Sequence, residues 1–228
     1  MTLSEDLALP LLQIKTSADL LEGKNFSKAA ARDHVRETEL NISAGLQQIE
    51  AYRHLLASED LSRLPAEPLA IGALMDDIAH RLTPYAKQYD TVLEVSVQQR
   101  LAPVLANQAS LASALEVLSS SLIRAQAAQS EQKSFRLVLG AHGAHDKAVA
   151  AGVFSNAQGI SDRTLRAARS LMGKARQPLP AVPQGAAAGV LVADMLCAAL
   201  WQPLRTAAHD NLAGLATSLP VSRQLKFV

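Results

Sequence analysis

Residues 28 to 58 carry an apolar side chain every seven positions, at Val35, Ile42, Ile49 and Leu56, with Thr38, Gly45 and Tyr52 between them. A seven-residue repeat keeps one stripe on one side of an α-helix, and a helix cannot cover its own stripe. Upstream, Leu3, Leu7, Leu11, Ile14, Ala18 and Leu21 recur in steps of three and four and predict a first helix on the same principle. Pro10 lies inside that helix, removes one backbone donor and is expected to kink it. Gly23 to Phe26 interrupts the pattern, and Ser27 is placed to cap the second helix. Two helices joined by a short turn make an antiparallel hairpin. A lone hairpin leaves its stripe bare, so residues 1–58 are expected to pair with a second copy as a four-helix bundle.

The pattern changes after Leu64-Pro65-Ala66-Glu67-Pro68. This gives a reading of a helical hairpin over 1–62, a linker over 63–68 and a mixed domain over 69–228. In the mixed part, 69–87 has helical spacing (Leu74, Ile78, Leu82, Tyr85) and Thr91 to Val97 alternates as a strand. Pro103 to Leu105 reads as a short strand. Asn107 is a cap for a helix over 109–127, and Phe135 to Gly140 and Ala148 to Phe154 read as paired strands around a polar turn. A helix over 186–200 and a last strand over 214–220 complete the order. The fold class expected is α+β, a helical hairpin followed by an α/β sandwich.

Bulk properties narrow the partners. The formal net charge is +1, which gives no electrostatic reason to expect a nucleic acid. The most apolar window, Gly185 to Trp201, is interrupted by Asp194 and is shorter than the roughly 20 residues a membrane span takes, so no direct membrane insertion is expected. The single cysteine, Cys197, fits a reducing cytoplasm and reads as a small core residue. The six histidines show no metal-ligand spacing, and no metal site is expected.

Four motifs carry a common resemblance. Ser4-Glu5-Asp6-Leu7-Ala8-Leu9-Pro10-Leu11 resembles the phosphoacceptor box of sensor histidine kinases, His-Glu/Asp-Leu-Arg-x-Pro-Leu, with Glu5 where the histidine belongs. Val117 to Arg124 resembles the helix motif Asn-Leu-Leu-x-Asn-Ala-x-Lys of the GHKL or Bergerat ATP-binding domain. Ser121 stands at the magnesium-ligating asparagine and Arg124 keeps the final positive charge. Ser155-Asn156-Ala157-Gln158-Gly159-Ile160 resembles Asp-x-Gly-x-Gly-Ile. There Ser155 replaces the adenine-binding aspartate, Ala157 replaces a glycine, and Gly159 survives. Gly185-Ala186-Ala187-Ala188-Gly189 resembles the Gly-x-Gly-x-Gly that opens the phosphate-facing helix, with Gly185 and Gly189 kept. Read without the resemblance, the last two are a polar loop after a strand and a small-residue turn before a core helix.

The resemblance implies a dimerisation and phosphotransfer hairpin followed by a GHKL/Bergerat-like domain, both eroded. A carboxylate cannot accept the phosphoryl group as the imidazole does, and a hydroxyl is a poorer magnesium ligand than an amide carbonyl. The expectation is a catalytically impaired, cytoplasmic, homodimeric pseudo-histidine kinase without cofactor, docking a response-regulator receiver domain or a partner kinase. By resemblance the docking face holds Glu5, Asp6, Ala8, Leu12 and Lys15. The alternatives are a divergent kinase or phosphatase that keeps magnesium-ATP, and a histidine phosphotransferase using His34 or His54.

Overall fold

The computed structural model describes residues 11–12, 14–16, 18–20, 27–57, 64–127, 135–157, 160–171 and 187–222. Residues 11–12, 14–16 and 18–20 are helical. Helix α1 spans Lys28–Ala57, and the Ser27 hydroxyl accepts the Ala30 N–H at 3.2 Å at its start. The phosphoacceptor-like box, with Glu5, Asp6 and Ala8, lies outside the described residues.

Strand β1, Glu67–Leu69, pairs antiparallel with β3, Val104–Ala106. Part of the stretch expected to be a linker is therefore strand. Pro68 is tolerated because β1 pairs with β3 alone, as an edge strand. Helix α2, Ile71–Gln88, buries Ile71, Leu74, Met75, Ile78, Leu82 and Tyr85 along one face. Strand β2 is Thr91–Val97. Helix α3, Gln108–Ala127, starts at Asn107, whose Oδ1 accepts the Ser110 N–H at 3.0 Å. Strands β4, Phe135–Ala144, and β5, Ala148–Ser155, flank a single 3₁₀ turn, His145–Lys147.

Two elements after β5 add to the expectation. Helix α4, Asp162–Leu171, and strand β6, Arg205–His209, have no counterpart in the sequence reading. Helix α5, Ala187–Leu200, and β7, Leu212–Pro220, do. The five-stranded sheet runs β2-β4-β5-β7-β6, with β2 parallel to β4 and the other neighbours antiparallel. Its inner face, including Leu137, Leu139, Ala151, Val153, Leu215 and Leu219, packs with α2, α3 and α5 into one core. Among the described residues no helix is long and apolar enough to cross a membrane.

Helix α1 has two working faces. Ala51 is fully buried against Val117 of α3 and Val192 of α5. His54, also buried, sits 3.3 Å from the Ser110 hydroxyl through Nδ1 and 3.1 Å from Glu50 through Nε2. The seven-residue stripe lies away from this contact: Val35, Ile42, Ile49 and Leu56 are 43% to 68% exposed.

Candidate functional site

The residues that stand at the nucleotide positions of the resemblance divide into two groups. Ser121, Arg124 and Gly189 meet where α3 crosses α5. Ser121 is 0% exposed. An added Cβ on Gly189 would lie 1.8 Å from Ser121 Oγ and 3.0 Å from the Val117 carbonyl oxygen, so the two helices touch at glycine-only distance. Arg124 bridges outward from this crossing. Its guanidinium donates to Ser121 Oγ at 3.3 Å and to the Tyr85 hydroxyl at 3.2 Å. Burial raises the Tyr85 phenol above its ordinary value, the nearby Arg124 opposing it. Tyr85 therefore stays neutral at any working pH.

The serine run on α3 turns inward. Ser120 Oγ donates to the Val117 carbonyl at 3.2 Å, a local bond to its own helix, and Ser119 Oγ is buried without a partner. The position matching the magnesium ligand is thus one hydroxyl in a helix–helix contact, already bonded to a cation. Among the described residues no group of three or more His, Cys, Asp or Glu is placed to hold a metal ion.

Ser155 and Ala157 form the second group, at the end of β5. Ser155 is buried, paired in register with Leu137 and Ala213. The next residue, Asn156, closes the strand end by accepting the Arg136 N–H at 2.8 Å. Gly159 and Gly185 lie outside the described residues. Leu12 and Lys15 are exposed on the N-terminal helical segment. An open cleft of about 330 Å³, lined in part by Glu67, Asp77, Arg81 and Asn107, lies between β1, α2 and the start of α3 and includes none of these positions.

Two polar clusters escaped the sequence reading. The first ties down α5. Asp194, the acidic interruption of the apolar window, is buried and receives two bonds from Arg169 of α4, at 2.7 and 2.6 Å, and the Leu204 N–H at 2.9 Å. Arg169 also donates to the Leu204 carbonyl at 2.6 Å. The buried charge is paired and hydrogen-bonded, as its burial requires. Cys197, one turn on, is fully buried, and burial pushes its thiol up to about 12, which excludes a reactive thiolate.

The second cluster lies on the outer face of the sheet. His142 belongs to β4 and His209 to β6, a correction to the turn and loop assigned from sequence. Their Nδ1 atoms are 3.0 Å apart and their rings stack with centroids 5.1 Å apart. His209 Nε2 lies 2.9 Å from Ser96 Oγ, which donates to Asp210 Oδ2 at 2.6 Å. Glycine makes this possible: a Cβ on Gly140 would lie 2.7 Å from the His209 ring. Asp210 and Asn211 have φ of 46° and 62°, the two positive values a type I′ hairpin needs, and the turn folds His209 back over the sheet.

The chain superposes on Acinetobacter baumannii histidine kinase AdeS with a TM-score of 0.59 at 14% identity, covering 95% of this chain and 98% of that one. The fold is that of a histidine-kinase core. Full-length ShkA, solved in complex with AMPPNP, matches with a TM-score of 0.58 at 15% identity over 97% of this chain and 46% of its own. The nucleotide-free catalytic domain of histidine kinase ThkA matches 68% of the chain with a TM-score of 0.50 at 10% identity. Neither a family model nor a curated protein matches the sequence. The likeness is therefore one of fold, with little shared sequence.

Proposed function

We propose that this chain is a catalytically impaired, histidine-kinase-like protein of two-component signalling, working as a homodimeric scaffold or regulator that docks a receiver domain or a partner kinase. The observation that carries this reading is the α3–α5 crossing. Ser121, at the magnesium position of the resemblance, is fully buried, packed against Gly189 and bonded to Arg124. Magnesium-ATP binding needs space at that position and an oxygen ligand free to enter it. Isothermal titration with magnesium-ATP and with a non-hydrolysable analogue tests it. No heat at millimolar nucleotide is the expected result, and micromolar binding would replace this reading by a divergent nucleotide-binding kinase or phosphatase.

The exposed stripe of α1 supports the homodimer. Four large apolar residues at seven-residue spacing on one helix are the seam of a bundle. Replacing Ile42 and Ile49 together by Asp puts two charges in that seam and is expected to convert the dimer to a folded monomer in sedimentation velocity. An unchanged dimer would move the interface elsewhere. Docking through Leu12, Lys15 and the preceding Glu5, Asp6 and Ala8 is compatible with this arrangement, since surface complementarity does not depend on phosphoryl chemistry. A phosphotransferase acting through His54 is disfavoured by its burial and by the partners on both ring nitrogens.

A further inference from the structure

The cluster on the outer face of the sheet is a hydrogen-bonded chain whose direction is set at one end. Asp210 is held below the usual carboxylate range, first by the Ser96 hydroxyl and then by His209, and a carboxylate can only accept. Ser96 Oγ–H therefore donates to Asp210. With that proton committed, Ser96 Oγ accepts from His209 Nε2–H across 2.9 Å. His209 Nδ1 faces His142 Nδ1 across 3.0 Å, a contact that holds one proton, here assigned to His142 Nδ1. The lone pair of His142 is left on Nε2, which no described residue hydrogen-bonds, on a half-buried ring. This is how an imidazole nucleophile is oriented: one nitrogen tied to an acceptor, the other free.

We propose that His142 is a phosphoacceptor, its Nε2 taking a phosphoryl group from the phosphoaspartate of a receiver domain, with His209, Ser96 and Asp210 as positioning residues. The proposal rests on the receiver-docking reading above. In the transfer the Nε2 lone pair forms the N–P bond, the acyl P–O bond breaks and the aspartate carboxylate leaves. The proton on His142 Nδ1 stays in its bond to His209. Exposed Arg100 follows β2 and exposed Lys147 sits in the β4–β5 turn. Both loops lie at the same end of the sheet, where Gln98 Oε1 accepts the Gly143 N–H at 2.8 Å.

The test uses the full chain and phosphoramidate, a small donor that needs no partner protein. With it the leaving group is ammonia, and the atoms balance in the same way. Peptide mass spectrometry at neutral to alkaline pH is expected to place the label on His142, with no label there in His142→Gln at an unchanged melting temperature. His209→Phe removes the Nδ1 acceptor and is expected to slow labelling by on the order of tenfold. In ¹⁵N-resolved spectra the same variant should turn His142 from a single Nδ1–H tautomer to a mixture, a change that a merely structural role for His209 would not produce. No label, label confined to other histidines such as His34, or a wild-type His142 protonated on Nε2 would each overturn the proposal. None of these outcomes changes the nucleotide titration or the sedimentation result, so failure of this site and failure of the scaffold reading are separable.

Discussion

The two faces of the sheet accommodate close approach in different ways. On the inner, helix-covered side, Gly189 faces the end of a side chain, Ser121, that can be shortened. On the outer side, an added Cβ on Gly152 would lie 2.2 Å from the Leu215 carbonyl oxygen, and one on Gly214 would lie 2.1 Å from that of Val153. These are backbone atoms of paired strands and have nowhere to go. Together with Gly140 they clear the space in which Phe154 packs with Val138 and Ala216 and in which His209 crosses the sheet. The inner face is an apolar core in which Ser121 lies buried against Gly189. The outer face is a polar cluster held open by backbone geometry.

Gly152→Ala is expected to be the most damaging change, costing ~3 kcal/mol or more because the ladder itself must shift. Gly189→Ala should cost less, about 1–2 kcal/mol, and Ser121→Gly in the same chain should recover much of it. Denaturant midpoints at constant slope measure both. Equal losses, or no recovery in the double variant, would break the contrast between a yielding and an unyielding neighbour.

The smallest expected effect concerns pH. Burial, and then the neighbouring His209, hold the His142 imidazole below the usual histidine value, with Asp210 opposing. Charged groups on that face also include the paired Glu94 and Arg136 and, on β6, Arg205. A histidine with a lower pKa folded than unfolded takes up its proton first in the unfolded chain. Stability is therefore at its full value above pH of about 6.5 and is lost as pH falls from there through the folded value. His142→Gln should flatten the fall in melting temperature below pH of about 6.5 and leave it unchanged above. An identical pH profile would mean that His142 carries no part of the acid sensitivity.

Periodicity was legible where one face meets the core and the other meets water. β2 lies over Thr91–Val97 as alternation predicts, and α2, α3, α5 and β7 fall within two residues of their expected limits. Helix α4 was not, because its apolar content is small and an ion pair between Arg169 and Asp194 anchors it. β4 was read as ending at Gly140, whereas the ladder with β5 continues to Ala144. That shortening put His142 in a loop and hid its relation to His209. Ser121, Arg124 and Gly189 were assigned by order along the chain, and nothing in that order indicated that they lie together.

The sequence by itself determined the helical stripes, the strand alternation and the order of pieces that make a histidine-kinase core, because each is set by local periodicity. Only the tertiary structure decided which stripe of α1 is spent on α3 and α5 and which stays exposed. It also decided that Ser121 lies buried under Gly189, and that two histidines 67 residues apart share one hydrogen bond. Those outcomes depend on backbone-to-backbone distances across elements, set by small residues whose contribution is the space they leave, and a missing side chain has no periodic signal to read.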